Sequence, residues 1–157
     1  MNGRQAPFLI VAAHGERCAL HLGDIVEVME TFTTFPIPNA PSTFLGVMNF
    51  HGSPVPVLDL AAFLHGTPPT GSGPILVLDH RLASLALRVD AVERILFDGR
   101  VGGTDLEEDD FLGPPVSGAG DGIRLLLLER VVERLDVVLR AGTGSAARTG
   151  VAGADSP

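Results

Sequence analysis

Residues 45–60 read LGVMNFHGSPVPVLDL and contain two apolar runs, a turn between them and the start of a helix. Strands are predicted over Gly46–His51 and Pro54–Leu58, joined at Gly52-Ser53, because alternating apolar residues on both sides of a Gly-containing turn are typical of a β-hairpin. Asp59 can cap a short helix over Leu60–Leu64, since its carboxylate can accept hydrogen bonds from the free N–H groups of the first helical turn. Gly66 then ends the helix.

The residues before this stretch predict a second hairpin and a further strand. Phe8–Ala13 is an apolar run that ends at a turn, His14-Gly15-Glu16, and Arg17–Leu22 then alternates between apolar and other residues. This alternation after a Gly-containing turn predicts paired strands. Ile25–Met29 continues as a strand. Residues 35–41 contain three prolines and are predicted to be an extended connection, because proline fixes φ and lacks an N–H donor.

After Gly66 the pattern restarts. Thr67–Gly73 resembles a linker in composition, and Gly113–Gly122 is predicted to be a loop. Strands are predicted over Ile75–Leu78, Leu82–Val89 and Ile123–Leu128. Glu129–Arg140 has apolar residues at helical spacing and is predicted to be a C-terminal amphipathic helix. Residues 141–157 have little to bury, so a disordered tail is expected.

Similar patterns in the two halves of the chain predict a mostly β fold with two lobes. Leu20-x-Leu22 is followed by Val26-Glu27, and Leu85-x-Leu87 is followed by Val92-Glu93. Either two similar small barrels or chance similarity between β-rich segments accounts for this. The predicted lobes span about residues 15–66 and about residues 74–128, with the terminal segments bridging them.

Composition argues against nucleic-acid and membrane-surface roles. The net charge is −8, from 11 basic and 19 acidic residues, and every basic residue is an arginine. Such a chain repels phosphate backbones and anionic lipid headgroups at long range. No apolar run approaches the ~18 residues that a membrane span needs, so no direct membrane insertion is expected. The single cysteine, Cys18, fits a reducing, cytoplasmic setting.

No group of residues predicts catalysis, a metal or a cofactor. The five histidines are scattered, without the spacing of a metal site. The acidic run Asp105–Asp110 lacks the central glycine and alternating ligands of a Ca²⁺ loop, so a solvated turn is favoured. Asp59 and Asp90 follow apolar strands and are either capping residues or general acid–base groups. A small β-barrel enzyme or ligand-binding protein therefore remains an alternative.

Four segments together resemble the CheW family, the adaptors of bacterial chemotaxis arrays. The most specific is residues 45–60, which is similar to the family pattern G-V-x-N-L-R-G-x-x-x-P-V-x-D-L-R. The others are the hairpin at residues 8–20, residues 25–28 with the proline-rich 36–41, and residues 85–95. The last of these is similar to the family pattern G-L-x-V-D-x-V-x-x-V, and Val89-Asp90-Ala91-Val92 matches its V-D-x-V part. The resemblance covers residues 7–140.

The resemblance implies two SH3-like five-stranded β-barrel lobes with short helices, and a non-catalytic adaptor without metal or cofactor. One lobe would bind the regulatory domain of a CheA-type histidine kinase. The groove between the lobes would receive the signalling tip of a chemoreceptor, in cytoplasmic chemosensory clusters. The positions that match the family's partner-binding surfaces are Ile25, Glu27, Gly46 and His51 in the first lobe, and Ala86, Val92 and Ile95 in the second.

Two departures from the family pattern bear on the partners. His51 stands where the family has the arginine of N-L-R-G, and Ala61 stands where it has the arginine of D-L-R. Arginine is a permanent cation with five donors, whereas neutral histidine offers one donor and alanine none. A diverged adaptor that keeps only one of the two partners is therefore a second hypothesis.

Overall fold

The computed structural model describes residues 5–102, 111–120 and 122–136, with backbone alone at residues 5 and 6. Its elements are β1 Gln5–Ala13, β2 Glu16–His21, a 3₁₀ turn Leu22–Asp24, β3 Ile25–Met29, β4 Phe44–Phe50, β5 Ser53–Asp59, α1 Leu60–His65, β6 Ile75–Leu78, β7 Ala86–Arg88, β8 Ala91–Val101, β9 Leu112–Ser117, β10 Arg124–Leu126 and a helix α2 at residues 128–136. The predicted acidic turn at 105–110, the end of the predicted C-terminal helix at 137–140 and the predicted tail lie outside the described residues.

The strands form two five-stranded sheets, as the family resemblance implies. The first closes into a barrel in the order β1-β2-β10-β9-β8. β1 pairs antiparallel with both β2 and β8, and β10 adds to β2 in parallel. The second sheet has the order β3-β6-β7-β5-β4, with β5 and β7 parallel. No helix in the described ranges is both long and apolar enough to cross a membrane.

The division of the chain between the sheets differs from the predicted lobes at about 15–66 and 74–128. The barrel combines the N-terminal hairpin with the last three strands, and the second sheet uses strands between Ile25 and Arg88. The chain thus crosses between the sheets at residues 22–24 and at 89–90. Local pattern could not show this, because the pairings that decide it, β1 with β8 and β2 with β10, join strands far apart in sequence.

Residues 112–117 form a strand, although a loop was predicted for residues 113–122. Pro114 and Pro115 suggested a loop because proline cannot donate to a ladder. The carbonyl oxygen of Pro115 nevertheless accepts from the backbone N–H of Gly102 at 3.0 Å. The backbone N–H of Val116 also donates to the carbonyl oxygen of Ile123 at 2.9 Å, so β9 is held beside β8 and β10 despite its two prolines.

Strand alternation divides the side chains of both sheets between separate cores. Phe8 and Ile10 of β1 pack in a core inside the barrel, and Ile75 and Val77 of β6 pack in a core of the second sheet. The intervening residues of these strands point the other way and meet in a third cluster, here called the shared core. Its buried members include Leu9, Val11, Leu20, Leu58, Leu76, Leu87, Val131 and Leu135. The two sheets and α2 are therefore joined by apolar packing.

Both two-residue hairpin turns have the sequence His-Gly. His14 and His51 have φ of 52° and 51°, and the following glycines have φ of 76° and 86°. Positive φ at both central residues is the type I′ geometry, which matches the twist of the flanking strands. At the second turn the N–H of Gly52 donates to the Asn49 side chain at 2.8 Å. Two of the five histidines thus occupy turn positions.

Candidate interaction surfaces

A groove on the second sheet brings apolar and ionisable side chains together at the surface. It has a volume of about 310 Å³ and is lined by Val26, Phe50, His51, Ser53, Val55, Val77, Leu78, His80, Ser84 and Leu85. We call it the β3–β5 groove. At its rim the His51 Nε2 and the Glu27 Oε1 lie 3.8 Å apart, with both side chains exposed. The ring of Phe50 contacts that of His51 edge-on, with centroids 4.3 Å apart.

A second groove lies where the two sheets meet. It has a volume of about 360 Å³ and is lined by His21, Asp24, Leu82 and residues 125–130. His21 ends β2 of the barrel, Asp24 and Leu82 belong to segments flanking the second sheet, and residues 125–130 run from β10 into α2. We call it the interlobe groove. Its walls come from both sheets, so it lies where the resemblance implies a receptor-binding groove.

Several large apolar side chains are exposed on the two sheets. Phe97 and Ile95 on β8 are 69% and 41% exposed, and Val26 on β3 is 51% exposed. Contiguous exposed apolar surface on a small protein marks interaction sites more often than single scattered residues do. The barrel and the second sheet therefore each present apolar side chains to solvent.

A buried ion network connects the second sheet with the β1–β2 turn. Arg88 and Asp59 are both fully buried, and the Arg88 Nε donates to the Asp59 Oδ2 at 2.8 Å. Arg88 also donates to the Asp90 carboxylate at 2.6 Å. Asp90 in turn accepts from the backbone N–H of His14 at 2.7 Å. Every buried side-chain nitrogen or oxygen in the described residues has a partner.

This network gives Asp59 and Asp90 structural roles. The Asp59 Oδ1 accepts from the N–H of Ala62 at 3.0 Å, which confirms the predicted helix cap, and the Oδ2 accepts from the N–H of Thr70 at 2.9 Å. Partial burial acts to raise the pKa of Asp90. The His14 N–H and the Arg88 guanidinium outweigh burial, so the pKa is lowered. Sequence reasoning missed Arg88; the only signal was an arginine inside an apolar run between two aspartates.

Two further groups in the described residues have pKa values far from their ordinary ones. Burial, followed by the charge of Glu16, raises the pKa of the Cys18 thiol to about 12, so the thiol stays protonated. Cys18 is buried in the shared core. Hydrogen bonds from Arg81 lower the pKa of Asp79 to about 2. No three His, Cys, Asp or Glu side chains in this part of the chain are arranged to hold a metal ion.

Comparison with known sequences gives the family. The sequence model of the CheW-like domain matches residues 7–136, which include both sheets and the described part of α2. The chain belongs to the CheW-like domain family.

Two individual relatives agree with this assignment. A probable chemotaxis protein CheW of Rhizobium etli is 42% identical over 62 residues, which are 38% of this chain and 40% of the relative. The match thus spans less than half of the relative's length. The crystal structure of the scaffolding protein TtCheW of Thermoanaerobacter tengcongensis superposes with a TM-score of 0.54 at 20% identity, over 80% of this chain and 88% of that one. At this identity the likeness supports the fold alone.

The seven positions matched to CheW partner surfaces fall into different environments. Glu27 and His51 meet at the rim of the β3–β5 groove. Ile25 and Val92 are half-buried against the shared core, and Ile95 is exposed on β8. The other two, Gly46 and Ala86, are buried.

Because Gly46 and Ala86 are buried in this conformation, neither can contact a partner directly. Ala86 is fully buried in the core of the second sheet. Gly46 has a φ of 142°, and a Cβ built there would lie 2.5 Å from the carbonyl oxygen of Phe35. The absent side chain lets residue 35 pair with β4, where Phe35 and Val47 exchange two 2.8 Å backbone hydrogen bonds. Both residues therefore shape the sheet beneath the surface.

Ala61, the second departure from the family pattern, also lies inside the fold. It is buried in α1 as a member of the shared core. An arginine at this position would have to displace core side chains, so restoring the family residue here would test packing as well as partner binding. His51 is the departure that lies on an accessible surface.

Proposed function

We propose that this chain is a non-catalytic adaptor that couples chemoreceptor signalling tips to a CheA-type histidine kinase, within cytoplasmic chemosensory clusters. Membership of the CheW-like domain family over residues 7–136 is the observation that carries the proposal. A scaffold must present separate surfaces to separate partners. The β3–β5 groove and the interlobe groove are distinct surfaces of suitable character, each with apolar floor and polar rim.

The proposed kinase surface includes Ile25, Glu27 and His51 around the β3–β5 groove. The proposed receptor surface includes Val92 and Ile95 on the barrel, together with the interlobe groove. Gly46 and Ala86 support the second sheet from within. Both grooves are open to solvent, as suits protein docking better than enclosure of a small molecule.

Binding of the two partners is tested separately with purified components. The probes are the regulatory domain of a CheA-type kinase and a receptor signalling-tip fragment, both encoded by the source organism. Glu27→Lys is expected to weaken kinase binding at least about tenfold, and Ile95→Asp to weaken receptor binding comparably. Thr31→Ala, an exposed change outside both surfaces, is the control. If the unaltered chain binds neither the kinase domain nor the receptor fragment, the adaptor function is rejected.

His51 supports a second version in which the chain keeps one partner only. An imidazole stands where the family pattern has a guanidinium, a permanent cation, so a polar contact that depends on arginine is weakened. His51→Arg is expected to restore binding of the missing partner. If His51→Arg leaves both affinities unchanged, the one-partner version fails.

A further inference from the structure

The β3–β5 groove has an apolar floor that solvent reaches. Val55, Val77 and Leu85 are buried beneath it, Phe50 is half-buried, and Val26 is 51% exposed at its edge. β3 is an outer strand of the second sheet and pairs with β6. A volume of about 310 Å³ admits one or two side chains of another chain. The floor alone would accept any apolar side chain.

The charges around the groove select among apolar ligands. Glu27 stands at the rim, and its 3.8 Å separation from the His51 Nε2 is too long for a hydrogen bond. Asp79, which lies between the lining residues Leu78 and His80, forms a 2.8 Å ion pair with Arg81. The charged side chains described next to this groove, apart from the histidines, are two acids, Glu27 and Asp79, and one arginine, Arg81. The local charge is therefore negative when His51 and His80 are neutral.

We propose that the β3–β5 groove binds a partner segment in which an apolar side chain is followed by an arginine or lysine. The apolar side chain occupies the floor between Val26 and Phe50, and the cation pairs with the Glu27 carboxylate. The net charge of −8 on the whole chain attracts such a segment at long range. Such a segment would belong to the partner at the proposed kinase surface, and this assignment rests on the proposed adaptor function.

Three capped dipeptides test the groove without a protein partner. Acetyl-Leu-Arg-amide, acetyl-Leu-Gln-amide and acetyl-Leu-Glu-amide are titrated into the ¹⁵N- and methyl-labelled full chain at pH 7.5. Leu-Arg is expected to shift the resonances of Val26, Phe50 and Val55. It should bind about two- to fivefold more tightly than Leu-Gln, the effect of one partly exposed ion pair, and Leu-Glu should bind most weakly.

Two variants separate the apolar and ionic parts of the site. Glu27→Gln is expected to make Leu-Arg bind like Leu-Gln while leaving Leu-Gln unchanged. Val26→Asp is expected to weaken Leu-Gln. Glu30→Gln, a change at an exposed acid just beyond the end of β3, is the matched control and should keep the full preference. An unchanged pattern of amide resonances outside the groove shows that each variant is folded.

Several results would overturn the proposal. Equal binding of the three dipeptides, tighter binding of Leu-Glu, or shifts confined to other surfaces would each do so. A dimer in sedimentation that Val26→Asp abolishes would show that a second copy occupies the groove instead. Preference for Leu-Arg without binding of kinase or receptor would reject the adaptor function alone, whereas partner binding without that preference would reject the groove chemistry alone.

Discussion

Five hydrogen bonds leave the guanidinium of Arg88 and reach Asp59, Ser72, Val89 and Asp90. A buried arginine is costly to desolvate, and the cost is offset only when its donors are satisfied. Here they hold together the end of β5, the connection before β6 and the crossing from β7 to the barrel. Arg88 thus ties together three segments that lie far apart in sequence.

Arg88→Met is expected to destabilise the fold by about 3–5 kcal/mol, because it leaves the buried Asp59 charge without its partner. Asp59→Asn in the same chain removes that charge while keeping an oxygen for the α1 cap. The double variant is therefore expected to be more stable than Arg88→Met alone. Urea denaturation gives the free energies of unfolding. A single-variant loss below about 1 kcal/mol would contradict the assigned role.

Asp90 makes the same network sensitive to acid. Its pKa is lowered in the folded state, so its contribution is present above the unfolded value of about 3.9 and is lost as pH falls through the lower folded value. Asp90→Asn is expected to reduce the free energy of unfolding at pH 7, with a difference from the unaltered chain that shrinks below about pH 4. Denaturation curves from pH 7 to pH 2 measure the difference; a constant difference would count against this explanation.

The elements show what local sequence could and could not predict. Both hairpins, the Asp59 cap and the end of α1 at Gly66 follow from residues within a few positions of one another. The partner of Asp59, Arg88, lies 29 residues away, beyond the reach of local pattern. The prediction of the partner-surface positions was limited in the same way, because it too used sequence alone. Their alignment could not show that Ala86 points inward, which depends on the parallel pairing of β5 and β7.

Gly46 is the residue on which the pairing of residue 35 with β4 depends. Gly46→Ala is expected to destabilise the fold by about 1–3 kcal/mol, since a positive φ and a 2.5 Å approach of Cβ to the Phe35 oxygen are both unfavourable. Gly23→Ala is the control, because a Cβ at Gly23 has no neighbour within 4 Å. Thermal denaturation distinguishes the two. Equal effects at the two glycines would contradict the close approach.

The β4–β5 turn makes a related prediction about His51. Its φ of 51° is unfavourable for a β-branched residue. His51→Val is expected to cost about 1–2 kcal/mol. Ser53→Val, an exposed change in the adjoining strand, is expected to be nearly neutral because valine favours strands. Chemical denaturation compares the variants, and equal losses would show that turn geometry is not the cause.

At the scale of the whole molecule, the two sheets are linked twice by the chain, at residues 22–24 and 89–90. The crossings lie at opposite ends of β2, since the first follows His21 and the second is held to the turn at His14. The interlobe groove lies beside the first crossing and the Arg88 network beside the second. The segments that bound the interlobe groove are therefore positioned by their connections to both sheets.

The shared core predicts that the two sheets unfold together. Leu9 of the barrel and Leu76 and Leu87 of the second sheet belong to one buried cluster, so neither sheet can unfold without exposing side chains of the other. We expect a single calorimetric transition in which the calorimetric and van't Hoff enthalpies agree. Leu87→Ala should lower the stability by about 2–5 kcal/mol and leave the transition single. Amide exchange should show the slowest protons of both sheets losing protection equally. Two transitions, or loss of protection in the second sheet alone, would mean that the sheets are independent units and that partners could move one against the other.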